Sequence, residues 1–221
     1  MTYLNNPAAL SKLLSLLLEG AQGTLQIFFY TLLFSLPLGL LVAVARMSKR
    51  KWISAPVSLF ILVMRGTPLM LQIFAVYFFL PDLLGVSIAR LPSSVIAFSI
   101  NYAAYFAEIY RGGILSIEKG QYEAGKVLGF TKTQIFFRIV LPQVIKRILL
   151  PVSNEVITLV KDTALANVIA VAELFRAAKN EVSRTASVEP LFFAALFYLV
   201  ITALITRLFS YFAKKLDYYH T

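Results

Sequence analysis

The chain has 221 residues, 59% of them hydrophobic and 14% charged, with a net charge of +10 and a mean hydropathy of +0.76. A water-soluble domain is about 45–50% apolar and roughly 25% charged, so the composition excludes an ordinary soluble fold and defines a membrane protein. There is no cysteine and the only histidine is His220, which excludes disulfides, thiolate metal sites, cysteine nucleophiles and a histidine-based catalytic or metal centre.

At the N-terminus, Leu10, Leu13, Leu14, Leu17 and Leu18 recur at helical spacing. Glu19 stands where a signal peptide would carry a small-residue cleavage site, so the pattern predicts a short helix lying at the membrane surface. A span needs roughly 20 apolar residues. Residues 22–45, 54–80, 91–114 and 190–213 meet that requirement directly. A fifth stretch, 139–165, is apolar but interrupted by Lys146, Arg147, Pro151, Asn154, Glu155, Lys161 and Asp162. The predicted fold is all-α and polytopic: one domain, 1–221, with five transmembrane helices and its termini on opposite sides.

Loop charges set the orientation. The first loop carries Arg46, Lys49, Arg50 and Lys51, the third (111–138) adds Lys119, Lys126 and Lys132, and Lys214 and Lys215 follow the last span. The second loop has Arg90 alone. Positive loops stay in the cytoplasm, which puts the N-terminus outside and the C-terminus inside, and explains the basic charge without nucleic acid. The fourth loop mixes Arg176, Lys179 and Arg184 with Glu173, Glu181 and Glu189 and is outside by alternation. It reads as helical, with Val168, Val171, Ala172 and Phe175 along one face. No internal repeat is visible.

The third loop contains "EKGQYEAGKVLGF", in which Gly120, Gly125 and Lys126 match the spacing of a phosphate-binding loop. The position that should supply a hydroxyl to Mg²⁺ is Val127, and the stretch follows a membrane helix, not a β-strand. It is not a nucleotide site. A longer pattern fits better. Glu123-Ala124-Gly125, Gly129, and Ile139-x-Leu141-Pro142 resemble the EAA loop, E-A-A-x(3)-G-x(9)-I-x-L-P, of bacterial ABC importer permeases, with Gly125 in place of the usual Ala as the one departure. The segments "RGTPLMLQ" (65–72), "YFAEIYRGGILSIEKGQYEA" (105–124) and "LVKDTALANVIAVAEL" (159–174) resemble the polar amino acid branch of that family. The resemblance covers nearly all of the chain after residue 20.

The resemblance implies a type I importer fold, a permease pair (a homodimer or two related chains) and an extracytoplasmic solute-binding protein, in the bacterial cell (inner) membrane. It also implies two ATPase subunits that bind ATP and Mg, this chain holding no cofactor and doing no covalent chemistry. Residues 121–130, with Glu123, Ala124, Gly125 and Gly129, would form the cytoplasmic coupling helix that seats in the ATPase. Small residues allow close helix approach, Glu123 can pair with a basic group, and Gly129 lets the chain turn out of the helix.

Independently of any family, Arg65, Glu155, Lys161 and Asp162 lie in or near apolar spans. A charge at the bilayer centre costs at least about 2.5–3.5 kcal/mol, so these side chains should face a wet cavity or each other. Glu155 and Asp162 are two turns apart on one face, with Thr158 between them, a surface able to receive an ammonium or cationic group. The alternative is internal pairing of Asp162 with Arg65 or Lys161. In "RGTP", Pro68 lacks an N–H and Gly66 is permissive, so this helix either opens, offering backbone N–H groups to a carboxylate beside walls of Leu69 and Met70, or simply kinks. Arg65, Gly66 and Thr67 join the substrate-binding set on this reading, and Asn101 and Tyr105, about a turn apart, are candidate wall residues. An intramembrane acid-pair enzyme is disfavoured because residues seven apart on a helix lie roughly 10 Å apart. An ATP-independent secondary transporter is disfavoured by the absence of inverted repeats.

Overall fold

The computed structural model describes Tyr3 and residues 6–216, and His220 lies outside the described residues. Its first helix, α1 (Pro7–Arg46), begins where the Asn6 side chain accepts from the Ala8 and Ala9 N–H groups and Pro7 occupies the first turn. At 1.5 Å per residue its 40 residues extend about 60 Å, roughly twice the hydrocarbon thickness of a bilayer. The expected separate surface helix is therefore corrected. Leu13 and Leu17 are fully buried in a cluster with Tyr3, Leu174, Ala178 and Ala194, so the Leu13–Leu17 side of the helix packs on protein while Leu18 stays exposed, and the helix runs unbroken into the apolar stretch.

The chain continues through α2 (Lys51–Gly66), α3 (Leu69–Phe74), a π-helical turn at Ala75–Phe79 and α4 (Leu80–Leu84). The helix axis bends by 109° between Lys51–Gly66 and Leu69–Leu84. Next come α5 (Arg90–Leu115), α6 (Lys119–Val127), the short α7 (Lys132–Gln134), a second π-helical segment at Ile135–Val140, and α8 (Leu141–Asp162). A 3₁₀ stretch (Thr163–Ile169), α9 (Leu174–Thr185) and α10 (Glu189–Lys215) complete the described chain. All of its regular elements are helical.

By length and apolar composition α1 and α10 can each cross a membrane, and the bent pair makes a third as one span. The helices α5 and α8 fall short of that composition because they carry the polar groups of the interior. In α5, Ser93, Ser94, Ser99 and Asn101 are buried beside Phe98, Tyr102 and Phe106. This helix packs against α1, α2, α3 and α8 and is the centre of the core. Along it, Phe98, Tyr102, Phe106 and Tyr110 form a ladder with ring centroids 6.2–6.4 Å apart, each at the i, i+4 spacing that brings side chains together.

The segment 166–190 is not one helix. Ala170 takes a left-handed conformation (φ 61°), which ends the 3₁₀ stretch, and residues 171–173 are irregular. Val168 and Val171 therefore share no helical face with Phe175, and Ala172 is exposed. Glu173, fully buried, restarts the chain as α9 by accepting from the Phe175 and Arg176 N–H groups at 2.7 and 2.6 Å. Farther along α9, Glu181 takes a two-pronged bond from Arg184 at 2.8 and 2.6 Å and another from the Tyr3 hydroxyl. The Arg184 guanidinium, more than any other neighbour, holds the Glu181 carboxyl down at about 2. A depressed carboxylate stabilises the fold above its unfolded value and loses that contribution as pH falls toward about 2.

The Thr24 hydroxyl accepts from the Leu174 N–H at 3.1 Å, fastening α1 to the start of α9 where Gly23 lets the backbones meet. A Cβ on Gly23 would lie 1.9 Å from the Ala172 carbonyl oxygen, a backbone atom that cannot swing away. Gly23→Ala should therefore lower stability by about 1–3 kcal/mol, read as a drop in thermal unfolding temperature in detergent. Gly120→Ala, whose Cβ meets nothing within 4 Å, is the control expected to leave it unchanged or raise it.

Candidate functional site

The break between α2 and α3 frees backbone carbonyls, and two side chains collect them. Asn101 Nδ2 donates to the Met64 carbonyl at 2.9 Å, and Gln72 Nε2 donates to the same oxygen at 3.0 Å. Gln72 Nε2 also reaches Thr67 Oγ1 at 2.8 Å, while its own Oε1 accepts from Asn101 Nδ2 at 3.0 Å. The Thr67 hydroxyl turns back to the Val63 carbonyl at 2.7 Å. The opened turn expected at "RGTP" is thus present and is held open by an Asn–Gln clamp from α5 and α3.

Beside the clamp is a cavity of ≈ 210 Å³ lined by Thr67, Leu69, Asn101, Tyr102, Tyr105, Glu155, Thr158 and Asp162. Seven of the ten residues expected in a substrate pocket meet here. Three do not line it. Arg65 borders a second cavity of ≈ 570 Å³, Gly66 a third of ≈ 330 Å³, and Met70 none of these three. The alternative, pairing of Asp162 with Arg65 or Lys161, is not what the structure shows: the Tyr102 hydroxyl donates to Asp162 Oδ2 at 2.8 Å. Arg65 stacks on the Tyr105 ring, 5.2 Å from its centroid.

Gln72 and Tyr102 escaped the sequence reading. Each carried a signal: Gln72 is a lone amide in an apolar helix, and Tyr102 lies near the middle of the 26-residue α5, away from the interfaces where belt tyrosines sit. One carboxylate oxygen of Asp162, the Glu155 carboxylate and the Thr158 hydroxyl remain to meet a cation or hydrogen-bond donor.

At the other end of α5, α6 ends in a Schellman motif. Phe130 N–H donates to the Gly125 carbonyl and Gly129 N–H to the Lys126 carbonyl, both at 3.0 Å, with Gly129 at φ 76°. Glu123 and Ala124 are exposed, and Val127 and Leu128 are 88% and 70% exposed, so the helix presents an acid and an apolar tip. Gly125 faces inward against Ile135: a Cβ there would lie 2.7 Å from Ile135 Cγ1. The departure from Ala at this position has a packing cause, because Ile135 occupies the space of the methyl group.

The family described as binding-protein-dependent transport system inner membrane component matches residues 35–218, and the chain belongs to it. It is a permease component, and ATP hydrolysis in this family is the work of a partner subunit. Among its relatives, the L-cystine transport system permease protein TcyB of Bacillus subtilis (strain 168) is 38% identical, over 90% of this chain and 86% of that one. The arginine transport system permease protein ArtQ of the same organism is 37% identical, over 90% and 92%. The crystal structure of an amino acid ABC transporter with histidines superposes with a TM-score of 0.86 at 34% identity, covering 94% of this chain and 97% of that one. The MetNI methionine ABC transporter shares the fold, with a TM-score of 0.73 at 20% identity and coverage of 91% and 96%.

Gly125→Ala alone should overfill the joint between α6 and the segment after it and cost about 1–3 kcal/mol. Adding Ile135→Ala, which removes the Cγ1 that the new methyl meets first, should cost less stability in the Gly125→Ala background than in the original chain. Thermal unfolding of the single and double variants measures the coupling between them.

Proposed function

We propose that this chain is the membrane-spanning subunit of an ATP-driven importer of polar amino acids in the bacterial cell (inner) membrane, with five spans formed by α1, the bent α2–α4 unit, α5, α8 and α10. The positive loops after α1 and around α6 set the N-terminus outside and the C-terminus inside. The observation that carries the reading is the ≈ 210 Å³ cavity. It brings Glu155, Thr158 and Asp162 from α8 opposite Asn101, Tyr102 and Tyr105 from α5 and Thr67 and Leu69 from the helix break. In this pocket an amino acid's ammonium group pairs with Asp162 and Glu155. The hydroxyls and amide beside them offer polar contacts to the rest of the molecule. Arg65 acts from the adjoining cavity, and Gly66 and Met70 shape the break and its flank.

Relatives named for cystine, arginine, octopine and glutamine support a substrate class defined by the α-amino acid group. The chain pairs with a second permease copy, identical or paralogous. A pair of ATPase subunits supplies the ATP and Mg sites, and a solute-binding protein delivers substrate from outside. A solved relative at 15% identity is an alginate ABC transporter in complex with a periplasmic protein, which illustrates that arrangement on this fold. The exposed Lys179, with half-exposed Arg176, lies on α9, a basic surface suited to an acidic face on the binding protein.

Alternating access follows from the connectivity. The coupling helix α6, with Glu123, Ala124, Gly125 and Gly129, joins α5 through three residues and α8 through α7 and the π-helical segment. Both helices flanking the coupling helix therefore carry pocket residues, and closing of the ATPase pair on α6 moves two pocket walls at once. ATP binding then opens the pocket toward the binding protein, and hydrolysis resets it toward the cytoplasm.

Asp162→Asn should weaken amino acid binding by about 10- to 100-fold, as loss of a charged hydrogen-bond acceptor does, while the ATPase still co-purifies. Uptake at normal affinity would show that the pocket is elsewhere. Glu123→Arg should instead abolish co-purification with the ATPase and leave amino acid binding to the permease intact; normal assembly of that variant rules out the coupling role.

A further inference from the structure

The pocket is not closed at its inner end. Tyr105 and Glu155 line it and also line the ≈ 570 Å³ cavity beyond, whose other walls include Arg65, Glu108, Ser116 and Arg147. The charges in this second cavity are unequally committed. Both oxygens of Glu108 are occupied by Arg111, with Nε at 3.0 Å and Nη2 at 2.7 Å, so that acid is a neutralised wall.

Arg147 donates through Nη1 to the Ser116 carbonyl, and Arg65 lies over the Tyr105 ring. A guanidinium has five N–H donors, so both arginines keep donors for an anion, and both side chains are exposed to the cavity. A carboxylate is the natural partner of two such forks. Glu155, shared by the two cavities, is the natural partner of an ammonium.

We propose that the ≈ 570 Å³ cavity is a second, release-side site for the α-amino acid, in which Arg65 and Arg147 hold the carboxylate while Glu155 keeps the ammonium. This rests on the amino acid reading of the first pocket. When both sites are filled the two molecules divide the acids, the first keeping its ammonium on Asp162 and the second taking Glu155; a molecule moves inward as its ammonium passes from Asp162 to Glu155 and its carboxylate reaches the arginines. A charged group then never stands unpaired within the membrane, where the cost of exposing it to hydrocarbon is greatest. Glu108 takes its hydrogen bonds from Arg111, which leaves the N–H donors of Arg65 and Arg147 to the substrate.

The test is equilibrium binding to the ATP-free transporter, permease with its ATPase, in lipid nanodiscs. Tritiated L-arginine, L-glutamine and L-cystine are titrated, and the tightest binder is taken forward with the corresponding amine, which lacks the carboxylate, as competitor. The wild type should bind about two molecules per permease, and the amine should displace only one. Arg147→Gln should bind about one, with the amine displacing it fully. Asp162→Asn should keep the carboxylate-dependent class and weaken the other by at least tenfold.

If Arg147→Gln does not co-purify with the ATPase, Arg65→Gln carries the same expectation. A single class of site in the wild type, two undiminished classes in the arginine variants, or loss of both classes in an assembled arginine variant would overturn the release-side site. Two classes unchanged in Asp162→Asn would instead overturn the first pocket, and binding of none of the three amino acids would overturn the substrate class itself.

Discussion

A backbone that leaves its helix inside a membrane must find new partners for every carbonyl and N–H it frees, since hydrocarbon offers none. That constraint governs the 109° turn between α2 and α3. Pro68 supplies the break by lacking a donor, and Asn101 and Gln72 supply the replacement bonds to the Met64 carbonyl. Each side chain is also bonded to the other, so the clamp is closed. Once it is closed, Thr67 and Leu69 are fixed against α5, and a cavity stands where a straight helix would have filled the space.

The same helix that closes the clamp also fixes the acids. Tyr102, next to Asn101, orients Asp162 through its hydroxyl, and its ring is held in the stack from Phe98 to Tyr110. Helix α5 is thus the common wall of the pocket, the rail along which the second cavity lies, and the element that runs almost directly into α6. The opposite wall, α8, reaches α6 from the other side. The departure of Gly125 from Ala, set by Ile135, lies at that second joint. The pocket walls and α6 are therefore joined directly through the chain.

Much of this was legible in the sequence because the signals are local. The i, i+7 spacing of Glu155 and Asp162 placed them on one face, Pro68 announced a break, and the long loop pattern ending in Leu141-Pro142 located α6. What was hidden depends on partners far apart in the chain. Nothing near Gln72 indicates that Asn101 will answer it, and nothing near Asp162 selects Tyr102 over Arg65. The N-terminal leucines carried the spacing of an amphipathic helix, which fits a lipid surface and a protein groove equally well. Gly20 and Gly23, against the 172–174 backbone, decided for the groove. Ala170 hid the turn before α9, because alanine is a helix former and its left-handed conformation is imposed from outside.

The absence of cysteine makes one measurement unusually direct. Thr158 faces the cavity between Glu155 and Asp162, whereas Leu199 on α10 is 63% exposed on an apolar helix surface. In the assembled transporter, Thr158→Cys should react with a membrane-impermeant maleimide and be protected by the transported amino acid, while Leu199→Cys should stay unlabelled. Labelling of Leu199→Cys with Thr158→Cys inert, or labelling of Thr158→Cys that substrate does not slow, would contradict a water-filled substrate pocket between α5 and α8.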